Sequence, residues 1–82
     1  MDYKVPNVVR EYAAALTDEE LKFLLMRLDQ GFGGDTAEAL ATMQRHEGMD
    51  NWLRAAKNYE EFFTCLDIVA QQLEYETKRR GR

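Results

Sequence analysis

The chain has one cysteine, one histidine and one proline, and no long apolar run. With Cys65 alone, no disulfide can form within the chain. With His46 as the sole histidine, there is no Cys/His cluster at zinc spacing. No window approaches the roughly 18 apolar residues of a membrane-spanning helix. Asp2, Lys4 and Pro6 interrupt the N-terminus before the apolar run of a leader peptide begins. A lone thiol without an export signal predicts a reducing, cytoplasmic setting. Internal repeats, low-complexity tracts and linkers are also missing, so the 82 residues read as a single domain. A domain of this size buries only about 60–65% of its unfolded surface. Without disulfides or a metal, the remaining common stabilising device is a second copy of the chain.

What is present is a helical vocabulary. Apolar residues make up 45% of the chain and charged residues 32%, too apolar a balance for disorder. The net charge of −4 hides an asymmetry. Residues 78–82 (KRRGR) carry four positive charges, and the other 77 residues carry 7 basic and 15 acidic side chains, a balance of −8. An acidic body disfavours phosphate backbones and anionic membrane surfaces. Direct nucleic-acid binding and membrane association are therefore not expected. Four tail charges without a basic stripe on the body read as helix-end complements.

The stretch Thr17 to Asp29 organises the rest. Leu21, Leu24, Leu25 and Leu28 fall at i, i+3, i+4 and i+7, one face of a helix, and Phe23 and Met26 point the other way. Thr17 and Glu20 form a capping box, and Leu16 and Leu21 have the spacing of a hydrophobic staple. Before it, Pro6 suits a first helical turn, and the stripe Val5, Val8, Val9, Tyr12 and Leu16 predicts a helix over 6–16. After it, the glycine-rich segment 30–34 forms the strongest break. Asp35 and Glu38 then predict a second box opening a helix over 36–46, with Ala37, Leu40, Ala41 and Met43 as its weak apolar face. Gly48 reads as its end and Asp50 as the cap of a short helix over 51–57. Asn58 and Glu61 make a third box before the longest helix, 59–79, with Phe62, Phe63, Leu66, Val69, Ala70 and Leu73 facing inward. The pattern leaves open whether the last two helices are separate or one kinked helix. The expected fold is all-α: a compact single-domain bundle of four to five helices spanning 1–82, with 1–4 and 80–82 frayed.

No residue pattern supports catalysis. The glycine segment lacks the preceding strand and following lysine of a phosphate loop, and Asp35 would repel a phosphate. Laid on a calcium loop, Asp29 to Leu40 puts Gly31 and Gly33 where side-chain oxygens belong, and Leu40 where a bidentate glutamate belongs. His46 has no positioned partner and reads as a solvent-facing residue near a helix end. Cys65, beside an apolar stripe, reads as a small buried hydrophobe. Asp18, Glu19, Glu20, Glu38, Glu60 and Glu61 fall in first helical turns, where the helix dipole favours negative charge. An enzyme, a metal, a cofactor and a small-molecule substrate are thus not expected.

The remaining signal is surplus apolar surface. Phe23 and Met26 on one helix, and Ile68 and Tyr75 on another, are left over once one core is filled. Phe32, between glycines, either folds back on the core or stands as an anchor. These five residues predict a non-enzymatic protein-interaction module that self-associates through apolar contacts. The alternative is a small acidic inhibitor of the phage type, occupying the basic nucleic-acid-binding groove of a target through Asp18, Glu19, Glu20, Glu60, Glu61 and Asp67. The expected partner is a protein, either a second copy or a basic protein.

Overall fold

A computed structural model describes residues 5–29 and 34–81. Five helices follow one another: α1 (Asn7–Ala15), α2 (Asp18–Asp29), α3 (Gly34–Gln44), α4 (Glu47–Arg54) and α5 (Tyr59–Arg79). Its radius of gyration, 11.8 Å, matches the value of about 11.7 Å expected for one compact domain of this length. The all-α bundle expected from the sequence is the observed fold. Residues 30–33, with Phe32, lie outside the described residues, and so do residues 1–4 and Arg82.

Local chemistry sets each boundary. Pro6, extended at φ −63° and ψ 149°, precedes α1, and its carbonyl accepts from the Val9 and Arg10 amides. Leu16 is extended too, so α1 and α2 meet at a sharp bend. The first capping box is formed in full: Thr17 N–H donates to Glu20 Oε1 at 2.8 Å, and Glu20 N–H donates to Thr17 Oγ1 at 3.1 Å. Leu16 and Leu21 are buried in the same core cluster, as a staple requires.

The bounds of α3 and α4 differ from the expected 36–46 and 51–57, each helix starting and ending earlier. The short helix begins at Glu47 rather than after Asp50, because His46 caps it: the Met49 amide donates to His46 Nδ1 at 3.1 Å. The His46 ring also packs edge-on against Tyr12, with centroids 5.2 Å apart. Gly48 therefore does not end α3. It sits in the first turn of α4, where a Cβ would come within 2.9 Å of Val8 Cγ2. Glycine is needed there because α1 approaches α4 closely. The expected box at Asp35 lies outside what is described, and Glu38 Oε2 accepts from Arg27 Nε of α2 at 2.8 Å.

Helices α4 and α5 are separate. Asn58, extended at φ −154°, starts α5 and accepts from the Glu61 amide at 2.9 Å. Glu61 reaches back one residue further than a simple box, accepting from the Lys57 amide at 2.7 Å. At the other end, Gly81 adopts φ 77° and its amide donates to the Lys78 carbonyl, a left-handed stop that glycine adopts without strain.

The core is built along α2 and α5. Leu21 and Leu24 of α2 are buried, with Leu25 and Leu28 partly so. Helix α2 packs on α3 and α5, α1 packs on α5 and α4, and α3 packs on α4. Ala39 and Met43 of α3 are fully buried, while Ala37 and Ala41 face solvent, so the inward stripe of α3 is 36, 39 and 43. On α5 the stripe runs Leu66, Val69, Leu73 and then Glu76.

Candidate interaction surface

The residues expected at an interface fall into two classes. Phe23 is half-buried against the core, and the Arg27 guanidinium lies 3.9 Å from its ring centroid. Arg27 is in turn held by Glu38, so the bundle itself covers this ring. Ile68 is also half-buried. Met26 and Tyr75 are open, at 48% and 61% exposure. They line different grooves beside the end of α5. Met26 joins Leu21 and Leu25 in a groove of about 420 Å³, with Asp18 and Glu19 at its edge and Thr77 of α5 opposite. Tyr75 lines a groove of about 540 Å³ with Arg10, Ala14 and Arg79, on the α1 side. Phe32 lies outside the described residues.

The acidic residues are also divided. Asp18 is paired with Arg80 Nη1 at 3.0 Å, and Glu20 is held in the first capping box. Glu60 and Glu61 stand in the first turn of α5, whereas Asp18 contacts the residue just beyond its last turn. The 21 residues of α5 separate these groups by about 30 Å. Glu19 and Asp67 are exposed. The six carboxylates thus do not form one face.

The sequence reading missed an aromatic corner where α4 meets α5. Tyr59 is 81% exposed and Phe63 39% exposed. Their rings stack with centroids 6.3 Å apart and an interplanar angle of 24°. Phe62 packs against the core and meets Phe63 at 6.1 Å, and Trp52 of α4 is half-buried nearby. Phe63 thus does not face inward as its place in the sequence pattern predicts. The inward stripe through 66, 69 and 73 projects back to position 62, which leaves its neighbour about 100° away. That periodicity is the signal that could have found it. Two grooves flank the corner. One, of about 480 Å³, is lined by Trp52, Glu60, Glu61 and Cys65, and the other, of about 540 Å³, by Lys57, Tyr59 and Phe62. Cys65 is half-buried, and burial, reinforced by the charge of Glu61, pushes its thiol pKa up, away from nucleophilic chemistry.

The same stripe carries a buried carboxylate that the sequence reading also missed. Glu76 is 3% exposed. It accepts from Arg79 Nη2 at 2.6 Å and from Arg80 Nε at 2.9 Å. Hydrogen bonds from Arg79 and then Arg80 lower its pKa to about 2. Arg80 also donates to Asp18 and to the carbonyls of Ala13 and Ala14. One guanidinium thus ties the end of α5 to the last carbonyls of α1 and the first turn of α2. Residue 80 is therefore anchored where the sequence reading placed a frayed end.

Among the described residues, no group of three His, Cys, Asp or Glu side chains is placed to hold a metal ion. No described helix is long and apolar enough to cross a membrane. No family model, curated protein or solved structure matches the chain.

Proposed function

We propose that this chain is a small non-enzymatic protein-interaction module that self-associates through apolar side chains. The observation that carries this reading is the exposure of Met26, Tyr59, Phe63 and Tyr75 on a bundle whose core is already closed by Leu24, Met43, Met49, Val69 and Leu73. Isolated apolar residues on a surface are ordinary, but large ones gathered at grooves suit partner binding. The Met26 groove supplies the self-association surface: an apolar floor with a charged edge is the common anatomy of a protein interface.

The experiment is the solution mass by light scattering across concentration, at low and high salt. A dimer or larger assembly that persists in about 0.5 M salt, and that Met26→Glu dissolves, is the expected result. A monomer at every concentration overturns self-association. The second reading, an acidic inhibitor filling a basic groove, draws on the net charge of −4. The separation of the acidic groups along α5 gives it less support.

A further inference from the structure

The two grooves at the α4–α5 corner share Ala56 and differ in character. The groove beside Trp52 carries charge only as carboxylates: Glu60, and Glu61, whose Oε2 accepts from the Lys57 amide and whose other oxygen is left for a ligand. Its aromatic wall and its negative charge both attract a cation. The groove beside Tyr59 and Phe62 is apolar and its only charge is Lys57, which repels one. Adjacent sites of opposite preference select two adjacent side chains. We infer that this corner docks a segment of a partner protein carrying an arginine beside a large apolar residue. The guanidinium enters the Trp52–Glu60–Glu61 groove and the apolar side chain lies against Tyr59 and Phe62. Arginine fits better than lysine because a planar guanidinium stacks on an indole face while forking to carboxylates.

The basic run of a second copy is a poorer occupant. Arg79 is paired with Glu76, and Arg80 is bound to Glu76, Asp18 and two carbonyls. Freeing them would open the bundle's own closure. A separate protein carries no such cost. This inference rests on the interaction-module reading and names its partner chemistry.

The test is a nuclear magnetic resonance titration of the isotope-labelled full chain with acetyl-Leu-Arg-amide and, separately, acetyl-Leu-Gln-amide. The arginine peptide is expected to shift the Trp52 indole and Tyr59 resonances, saturating in the millimolar range. It should bind about fivefold more tightly than the glutamine peptide. Glu60→Gln, at an exposed position, should weaken it about two- to fivefold, and so should about 0.5 M salt. Trp52→Leu, checked for folding by circular dichroism, should weaken it to a similar degree. Equal response to both peptides, shifts centred on the Met26 groove, or no shifts up to about 10 mM peptide overturns the proposal. If the peptides fail while Met26→Glu still dissolves an assembly, the module reading stands and this proposal falls. If instead Glu60→Gln alone reduces an assembly to monomer, the corner holds a second copy, and the separate partner is excluded.

Discussion

The two ends of α5 use charge and aromatic surface in opposite ways. At the C-terminal end, Glu76 and Arg80 are drawn inward, Asp18 pairs with Arg80 from the surface, and one guanidinium contacts α1, α2 and α5. At the N-terminal end, Glu60 stands in solvent beside exposed Tyr59 and Phe63, and Glu61, also exposed, caps the Lys57 amide. The first end solves a folding problem. Three chain segments converge there, and the last carbonyls of α1 need donors after its helix stops. The second end has its backbone satisfied locally by Asn58 and Glu61, so its aromatic rings are not required for closure. Groups that closure does not need are available for recognition.

The sharpest way to break this contrast is to remove Glu76. Glu76→Ala leaves Arg80 among Asp18 and two carbonyls without its central carboxylate. Arg80 keeps Asp18 and two carbonyls, so the cost is that of the lost charge-assisted hydrogen bonds, about 2–3 kcal/mol. Urea denaturation should show a loss of about that size, and Glu60→Ala at the opposite end should change stability by less than about 0.5 kcal/mol. Comparable losses at both ends would erase the distinction.

Acid titration sharpens the same comparison. The Glu76 carboxyl is held at about 2 in the folded chain, against an ordinary 4.5. A depressed folded value means the carboxylate form stabilises the native state. That contribution is complete above the unfolded value and is lost as pH falls through the folded one. Between about pH 4.5 and pH 2 the chain should therefore lose on the order of 2–3 kcal/mol from this group. In Glu76→Gln the stability curve over that window should be flatter by this amount, as read from urea midpoints at each pH. An unchanged slope would show that the buried carboxylate is not the acid-sensitive element.

The sequence reveals the helices more clearly than their neighbours. The box at Thr17 and the Asn58 cap are legible because each uses residues three apart, and local spacing suffices; the return arm of Glu61 to Lys57, four apart, is not. Leu21 and Leu24 are legible as core because their periodicity is strong. Gly48 is misread from sequence because its reason is tertiary, the approach of Val8 from another helix. The contact of Glu38 with Arg27 is not legible for the same cause, since Arg27 lies eleven residues away. Of the expected interface, Met26 and Tyr75 are open, while Phe23 is covered by Arg27, a contact that spacing alone could have suggested. The aromatic corner stays hidden when adjacent Phe62 and Phe63 are read as a pair. A helix turns them about 100° apart and only one can face inward.

The close passage of α1 over α4 gives a smaller, steric test. Gly48→Ala places a methyl group within 2.9 Å of Val8 Cγ2. Alanine gains about 1 kcal/mol in helix propensity, and overpacking costs about 1–3 kcal/mol. The expected net is a loss of about 1 kcal/mol. Gly48→Ala combined with Val8→Ala should lose less than the sum of the two single changes, because the second opens the space that the first needs. Strict additivity would mean the two side chains do not meet.

The smallest expected effect on folding belongs to Tyr59, which is also where the contrast between the two ends can be decided. Tyr59 is 81% exposed at the first position of α5, and its ring contact is with Phe63. Tyr59→Ser removes that stack and adds a small polar group in a first helical turn. Stability should change by no more than about 0.5 kcal/mol, within the range of an exposed site. Binding of the arginine peptide should still fall measurably, because the apolar half of the corner loses its largest exposed face. A residue that matters to recognition and not to folding separates the two ends of α5 directly. If Tyr59→Ser instead unfolds the chain as far as Glu76→Ala does, the ring is part of the structure, and the N-terminal end of α5 serves closure as much as the C-terminal one.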